Sequence, residues 1–374
     1  MIKPLAARRL PAPRKLAAAM QLTDVLHAVD AHAEGELTRV VVGGLPPTIG
    51  VSMAHKRLEL MADDSLRRYL LGEPHGHLCL HAVCVYPPSD PVAAVGMVIM
   101  ESTDYPPMSG SNTICTATVL LETGMVAMDE PTTEFVLETP AGLVPVRATC
   151  GDGRCQRVEF ENVPAFVVGL DVAVQVPDLG QVVVDIAWGG AFFALVDVAA
   201  VGLEIVPEQA PRLAALGQRI TTAVGSQVPV VHPERPDLHT VTFTTFTGPP
   251  RAGGDGRNTT VISPGRLDRS PCGTATSARL AVLHARGELG AGEEFVHESI
   301  ISTTFTGRID GTAMVGTLPA VRPSISGRAW LTGTHQVGRD PRDPLGRGFA
   351  LADTWLAAGG QWPPGGRGST SRRS

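Results

Sequence analysis

An internal duplication constrains the fold of this chain more than any other feature of its sequence. Residues 109–124, which begin Ser-Gly-Ser-Asn-Thr, correspond to residues 272–287, which begin Cys-Gly-Thr-Ala-Thr, at a constant shift of 163 residues. Just downstream, residues 134–138 (Glu-Phe-Val-Leu-Glu) match residues 294–298 (Glu-Phe-Val-His-Glu) at a shift of 160, which one three-residue deletion explains. Two successive matches in the same order indicate two copies of one structural unit.

Each copy predicts a turn followed by a buried helix. Small polar residues precede an apolar run, and Gly124 and Gly287 stand where a helix C-cap favours a left-handed residue. The apolar runs cover residues 114–121 and 278–283. Runs rich in β-branched residues predict strands, with Gly and Pro turn signals between them, at residues 38–42, 95–100, 182–186 and 240–244. We therefore expect an α+β fold of two pseudo-symmetric units, each a central helix wrapped by a mostly antiparallel sheet.

The length of 374 residues suits two domains. We expect residues 24–150 to form the first, completed by C-terminal strands from about 335–356, and residues 151–334 to form the second. Residues 1–23 hold five basic residues and no acidic one but lack the apolar segment of a signal peptide. We expect a disordered extension there, and a loose tail at residues 357–374, which are rich in Gly, Pro, Ser and Arg.

Charge and hydropathy narrow the class of partner. The formal net charge is −6 and no Lys/Arg cluster stands out, whereas nucleic-acid binding needs clustered cations. No run of 18 apolar residues predicts a transmembrane helix. Six cysteines are too few for a disulfide framework in a chain of this length. We expect a cytoplasmic protein that acts on a small molecule, without a nucleic-acid or membrane partner; a homodimer stays open.

The two predicted helix N-termini suggest a chemistry. Free N–H groups and the positive end of the helix dipole bind anions, and they lower the pKa of a thiol placed there. Two such ends facing each other would hold a carboxylate between them, with Ser109 and Cys272 on opposite sides. A carbon atom between these groups could lose a proton on one face and regain it on the other. The pattern predicts stereoinversion next to a carboxylate.

Competing motifs are incomplete. The chain has no phosphate-binding G-x-x-x-x-G-K-[ST] loop and no H-E-x-x-H zinc motif, and residues 253–256 do not form G-x-G-x-x-G. His32 and Glu34 with Cys272 partly match zinc deaminases, but Ala275 stands where the second cysteine is needed. No further ligand pair completes a metal site with Cys150 and Cys155. We expect neither a metal nor a cofactor.

Residues 268–278, Asp-Arg-Ser-Pro-Cys-Gly-Thr-Ala-Thr-Ser-Ala, resemble the signature of the proline racemase family, which includes proline racemases, 4-hydroxyproline 2-epimerases and trans-3-hydroxyproline dehydratases. The resemblance extends over about residues 25–355, with similar segments at residues 30–41, 138–144, 326–330 and 343–345. It implies a fold like diaminopimelate epimerase and a cofactor-independent mechanism with two acid/base groups.

Site roles carried over from the family fall on both helix starts. The resemblance implies that Cys272 is one acid/base and that Asp268 contacts the ring nitrogen of the substrate. Ser109 takes the place of the opposite acid/base. The backbone N–H groups implied to bind the substrate carboxylate are those of Gly110, Ser111, Gly273 and Thr274.

The chain departs from the family pattern at the first helix. It has Met-Ser-Gly-Ser at residues 108–111, where most family members have Met-Cys-Gly-His. An alcohol is a far weaker acid than a thiol, so Ser109 needs help from a neighbour or water. We expect a hydroxyproline 2-epimerase acting on trans-4- or trans-3-hydroxy-L-proline. The alternatives are a trans-3-hydroxy-L-proline dehydratase, a proline racemase and a non-catalytic amino-acid-binding paralogue.

Each site residue also has a structural interpretation. Ser109 could serve only as a helix N-cap, Cys272 as a small buried apolar residue and Asp268 as a turn cap. His32 and Glu36 are interpreted as structural residues or as residues that support those in contact with substrate, and contact with substrate itself is the alternative.

Overall fold

The computed structural model describes residues 21–351 of the chain. The tail predicted at residues 357–374 and all but the last three residues of the extension predicted at residues 1–23 lie outside the described residues. The first strand begins at Thr23.

Residues 21–351 form 17 strands, five α-helices and two short 3₁₀ helices. The α-helices are α1 (Met53–Ala62), α2 (Ser65–Leu71), α3 (Gly110–Glu122), α4 (Ala210–Gln227) and α5 (Gly273–Ala285), and the 3₁₀ helices are Val198–Val201 and Pro207–Gln209. The strands are β1 (Thr23–Ala33), β2 (Glu36–Gly43), β3 (Leu80–Tyr86), β4 (Val95–Met100), β5 (Thr132–Thr139), β6 (Gly142–Gly151), β7 (Arg154–Glu161), β8 (Ala165–Val176), β9 (Gly180–Trp188), β10 (Phe192–Asp197), β11 (Val241–Gly248), β12 (Gly256–Ile262), β13 (Arg266–Leu267), β14 (Glu294–Glu298), β15 (Thr304–Val315), β16 (Leu318–Gly327) and β17 (Ala329–Arg339).

The strands form one hydrogen-bonded network, and the fold is α+β as predicted. Most pairs are antiparallel; the parallel pairs in the described part of the chain are β2–β3, β4–β5, β10–β11 and β12–β14. Strand β1 lies between β2 and β17. Strand β16 pairs with β15, β7 and β8, so it joins sheet segments that are distant in sequence.

Two helices run through the interior. All of α3 from Gly110 to Leu121 is buried, and ten of the thirteen residues of α5 are buried. A helix without a polar face can be accommodated only where protein surrounds it. Helix α3 packs against β1, β2, β7 and β17, whereas α5 packs against β8, β9, β15 and β16. Both helices end before a left-handed glycine, Gly124 (φ +73°) and Gly287 (φ +74°), as predicted.

The division into units at residues 150 and 334 remains a prediction. Strand β7 follows residue 150, pairs with β6 and packs against α3. Strand β17 spans residue 334 and pairs with β1 along its length.

Candidate active site

The N-termini of α3 and α5 touch at two glycines. A Cβ atom built on Gly110 would lie 2.7 Å from Gly273 Cα, and one built on Gly273 would lie 2.9 Å from Gly110 Cα. The ring of Phe160 on β7 lies against the same contact. Its Cζ is 3.0 Å from the Cβ atom built on Gly110 and 3.4 Å from the one built on Gly273. Only glycine allows the two backbones to approach so closely. The contact brings together Ser109 and Cys272, which immediately precede the two glycines.

Ser109 occupies the N-cap position of α3 without capping it. Its backbone is extended (φ −151°, ψ 126°), and its side chain accepts no hydrogen bond from the helix N–H groups. Its Oγ instead accepts a hydrogen bond of 2.9 Å from Asn112 Nδ2. The side chain is 8% exposed. The helix-cap interpretation of this serine is therefore wrong, because its hydroxyl bonds to the Asn112 side chain instead of the helix N–H groups.

Cys272 lies in a strained turn at the start of α5. Its φ of +60° is unfavourable for a residue with a Cβ. Three hydrogen bonds hold the turn: Cys272 N donates to Ser270 Oγ (3.1 Å), Asn258 Nδ2 to Pro271 O (2.8 Å) and Thr276 Oγ1 to Cys272 O (2.9 Å). The fold thus maintains an unfavourable backbone at the cysteine, as is common at functional sites.

The pKa of Cys272 differs from the sequence-based expectation. The helix N-terminus was expected to lower it, but burial and the neighbouring Asp268 raise the pKa of this thiol well above its ordinary value. The N–H of Ala275 and the hydroxyls of Thr274 and Thr260 oppose that shift without overcoming it. The prediction was wrong because burial of the thiol outweighs the helix end. At ordinary pH Cys272 is therefore a neutral thiol.

Asp268 is buried in the loop that leads to Cys272. Its Oδ1 accepts hydrogen bonds from Ser270 N (2.8 Å) and Ser270 Oγ (2.9 Å), and the same Ser270 hydroxyl accepts from Cys272 N. Burial, followed by the charge of Glu36, raises the pKa of Asp268 although Arg266 opposes the shift. Asp268 therefore caps a turn, and through Ser270 it also positions the cysteine.

Asp268 belongs to a buried ionisable cluster whose members are Glu36, His81, Glu101, Arg266 and Asp268. Arg266 Nη1 donates to Glu36 Oε1 at 2.6 Å, and Arg266 also contacts His81 Nε2. His81 Nε2 lies 3.3 Å from Glu36 Oε1, and His81 Nδ1 lies 3.9 Å from Glu101 Oε1. The cluster connects the loop of Cys272 with β2, β3 and the end of β4.

Burial leaves most of this cluster uncharged. It raises the pKa of Glu101 to about 8, and together with Arg266 it lowers the pKa of His81 to about 3. Burial also opposes ionisation of Glu36, but the charge of Arg266 and the N–H of Arg269 prevail and lower its pKa. The ion pair of Glu36 and Arg266 is thus the charged core of the cluster.

The four residues predicted to bind a carboxylate lie in the first turns of α3 and α5. The first intrahelical bonds are Thr113 N to Ser109 O (3.0 Å) and Thr276 N to Cys272 O (2.8 Å). The preceding N–H groups therefore have no acceptor within the helix. These groups include the N–H groups of Gly110 and Ser111 in α3 and of Gly273 and Thr274 in α5. The two helix ends present converging donors and positive dipole ends, an arrangement suited to an anion.

Sequence reasoning missed several residues of the site. Asn112, which binds Ser109, lies in the duplicated segment, yet its type alone marks only a helix start. His81 and Arg266 come from β3 and β13, where nothing in the sequence marks them. Glu36 was assigned a structural role but lies at the centre of the buried ionisable cluster. His32, assigned the same role, stacks on Trp330 with ring centroids 5.1 Å apart.

Other candidate sites are not supported. Cys150 and Cys155 face each other across the β6–β7 hairpin as free thiols. Among residues 21–351, no group of three or more His, Cys, Asp or Glu side chains could hold a metal ion. In the same residues, no helix has the length and apolar character to cross a membrane.

Comparison with known proteins shows extensive similarity. Residues 28–350 match the family model described as proline racemase. The structure of a probable proline racemase from Agrobacterium radiobacter K84, with bound carbonate, has 41% identity and a TM-score of 0.84, covering 88% of this chain and 98% of that one. A hydroxyproline epimerase from Agrobacterium vitis, with bound trans-4-hydroxy-L-proline, has 40% identity and a TM-score of 0.85, covering 90% and 98%.

A more distant structure shares the fold alone. It is a phenazine biosynthesis protein of the PhzF family from Bacillus anthracis, with 11% identity and a TM-score of 0.55 over 84% of this chain and 99% of that one.

Proposed function

Because this chain belongs to the proline racemase family and is an isomerase acting on amino acids, we propose that it is a hydroxyproline 2-epimerase. It converts trans-4-hydroxy-L-proline, trans-3-hydroxy-L-proline or both into the cis-D epimer. The contact between the two helix N-termini supports this proposal, because Ser109 and Cys272 immediately precede the two glycines that touch. The Agrobacterium vitis epimerase with bound trans-4-hydroxy-L-proline makes the 4-hydroxy compound the first substrate to test.

In this proposal the substrate carboxylate lies between α3 and α5. The N–H groups of Gly110, Ser111, Gly273 and Thr274 bind its oxygens. One of Ser109 and Cys272 takes the proton from Cα, and the electron pair of the broken C–H bond delocalises into the carboxylate. The other residue then gives its proton to the opposite face of Cα, which inverts the centre without a cofactor. The helix ends stabilise the negative charge that develops on the carboxylate.

The charge of the substrate explains how a neutral thiol becomes a base. Asp268 lies two residues from the turn of Cys272, and in our proposal it contacts the protonated ring nitrogen of the substrate. That positive charge lies close to the thiol and favours its thiolate form, opposing the effect of burial, and the thiol proton leaves to bulk water. The substrate therefore supplies the charge that favours the basic form of Cys272.

We also propose that the chain consists of two related units. Glu138 on β5 and Glu298 on β14 are equivalent in the duplication, and both carboxylates bind loop N–H groups. Glu138 accepts from Ser89 N (2.6 Å), and Glu298 accepts from Ala252 N (2.7 Å). Each strand also pairs in parallel, β5 with β4 and β14 with β12. This shared detail supports pseudo-symmetry.

The test is proton NMR of the purified protein in deuterium oxide, with trans-4-hydroxy-L-proline, trans-3-hydroxy-L-proline and L-proline in separate samples. We expect loss of the Cα proton signal and growth of the 2-epimer from a hydroxyproline. Conversion of the 3-hydroxy compound to pyrroline carboxylate and water would identify a dehydratase instead. Epimerisation of L-proline alone would identify a racemase. No change in any sample would contradict the proposal and favour a binding protein.

A further inference from the structure

The fold holds the hydroxyl of Ser109 through one amide side chain. Asn112 lies one turn into α3, is completely buried, and donates from Nδ2 to Ser109 Oγ at 2.9 Å. Because an amide N–H can only donate, the serine oxygen is the acceptor in this bond. The proton of the hydroxyl therefore stays available to another partner, as an acid facing a substrate requires.

Two neighbouring strands fix the orientation of the Asn112 amide. Its Oδ1 accepts a hydrogen bond of 2.8 Å from Thr38 Oγ1 on β2. Its Nδ2 also lies 3.0 Å from His81 Nδ1 on β3. His81 is neutral at ordinary pH, because burial and Arg266 lower its pKa to about 3, and the tautomer whose Nε2–H faces Glu36 Oε1, 3.3 Å away, leaves Nδ1 as the acceptor for Asn112. With Oδ1 satisfied by Thr38, both Nδ2 protons point to acceptors, one of them Ser109.

The second helix has no counterpart of this amide. The repeat shift of 163 places Ala275 at the position of Asn112. The Sγ of Cys272 instead lies 3.6 Å from Thr274 Oγ1. The weaker acid of the pair is thus the one held by a side-chain amide, whereas the thiol is surrounded by the hydroxyls of Thr274 and Thr260 and the N–H of Ala275.

We propose that Asn112 is a positioning residue for the reaction, which holds Ser109 Oγ in place and stabilises negative charge on it. This inference rests on the proposed function. When Ser109 gives its proton to Cα, the oxygen is left as an alkoxide while Cys272 holds the proton taken from the other face. In the reverse direction the alkoxide takes the Cα proton and the thiol gives one. The Asn112 N–H donates a hydrogen bond to that alkoxide in both directions of the reaction. Asn112 itself exchanges no proton.

The test is Asn112→Ala, followed in deuterium oxide with each hydroxyproline epimer as the starting material. We expect kcat for epimerisation to fall about 10- to 100-fold, the usual cost of losing one donor to a charged oxygen. Deuterium should still enter one epimer without inversion, because Cys272 can still exchange the Cα proton on the face of the substrate that it contacts. Thr118→Val is the matched control: Thr118 is a buried polar residue of α3 whose Oγ1 donates to Ile114 O (2.9 Å). It should leave kcat unchanged.

A second variant separates positioning from folding. In the Ser109→Ala background, Asn112→Ala should cause no further loss of exchange if Asn112 acts through Ser109. Thr38→Val removes the hydroxyl that donates to Asn112 Oδ1 but leaves the amide in place. It should lower kcat less than Asn112→Ala does, by about 3- to 10-fold. Equal loss of exchange from both epimers in Asn112→Ala, or an unchanged kcat, would overturn the inference. A wild-type protein inactive on every hydroxyproline would instead overturn the proposed function itself.

Discussion

Several residues of the site are ionisable, yet burial leaves few of them charged. Burial raises the pKa of Cys272, keeps His81 neutral and raises the pKa of Glu101 to about 8. In our proposal a zwitterionic amino acid brings one charge of each sign, a carboxylate for the helix ends and an ammonium for Asp268. The reacting groups would then acquire charge as the substrate binds.

His297 on β14 gives a prediction about stability and pH. Burial, followed by the charge of Arg279, lowers its pKa to about 3, against 6.5 as its ordinary value. Between those values the unfolded chain binds a proton that the folded protein does not. The free energy of unfolding should therefore fall as pH drops below 6.5, by up to about 1.4 kcal/mol per pH unit from this group.

The measurement is urea unfolding of the wild type and of His297→Asn between pH 7.5 and 4.5. The variant loses the hydrogen bond to Thr276 Oγ1 and should be less stable than the wild type at pH 7.5. The difference in unfolding free energy between the two proteins should become smaller as pH falls. A gap independent of pH would show that His297 does not titrate in this way.

Residue roles could be predicted where the signal was local. The duplication and the signature segment pointed to Ser109, Cys272 and Asp268 from the sequence alone. The contacts of Asn112 could not be foreseen, because Thr38 lies 74 positions away from it. The direction of the Cys272 pKa shift was predicted wrongly, because a helix start can be identified in the sequence while burial depends on the whole fold.

At the scale of elements, the two helix ends can meet only through glycine. Gly110→Ala would place a methyl group 2.7 Å from Gly273 Cα, so the helices must move apart. We expect a loss of about 1–3 kcal/mol in unfolding free energy, as for overpacked interiors, and a fall in kcat of at least about 10-fold.

Gly225→Ala in α4 is the matched control for that substitution. Gly225 is exposed, and a Cβ atom there meets nothing within 4 Å. Alanine favours the helix, so this variant should gain about 0.5–1 kcal/mol and keep its activity. Thermal unfolding and the NMR assay measure both effects. A Gly110→Ala variant as stable and active as Gly225→Ala would show that the helix contact is unimportant.

Element boundaries were predicted closely at both helix starts and less evenly for the strands. The predicted helix N-termini after Ser109 and Cys272 agree with α3 and α5, which begin at Gly110 and Gly273. The β-branched run at residues 95–100 coincides with β4, whereas the run at residues 240–244 covers only the first half of β11. The first turns of both helices consist of small polar residues, which apolar periodicity alone does not detect. Those same turns supply the N–H groups of the proposed carboxylate site.

For the whole molecule, the α+β class and the central helices could be predicted, but the surroundings of each helix could not. The repeat and the strand patterns carry no information on which strand passes which helix. C-terminal strands were expected to join the first unit, but that expectation did not specify that β17 packs directly against α3. Strand β16 pairs with both β7 and β8. Such long-range pairing places both helix ends at one site, which is the basis of the proposed chemistry.

The central claim is that Ser109 and Cys272 act on opposite faces of one carbon atom. The most direct measurement is deuterium incorporation at Cα, by proton NMR, for Ser109→Ala and Cys272→Ala with each epimer of 4-hydroxyproline. We predict that neither variant inverts the centre and that each exchanges only one epimer, a different one in the two variants. Exchange of the same epimer by both variants, or inversion by Cys272→Ala, would contradict the account.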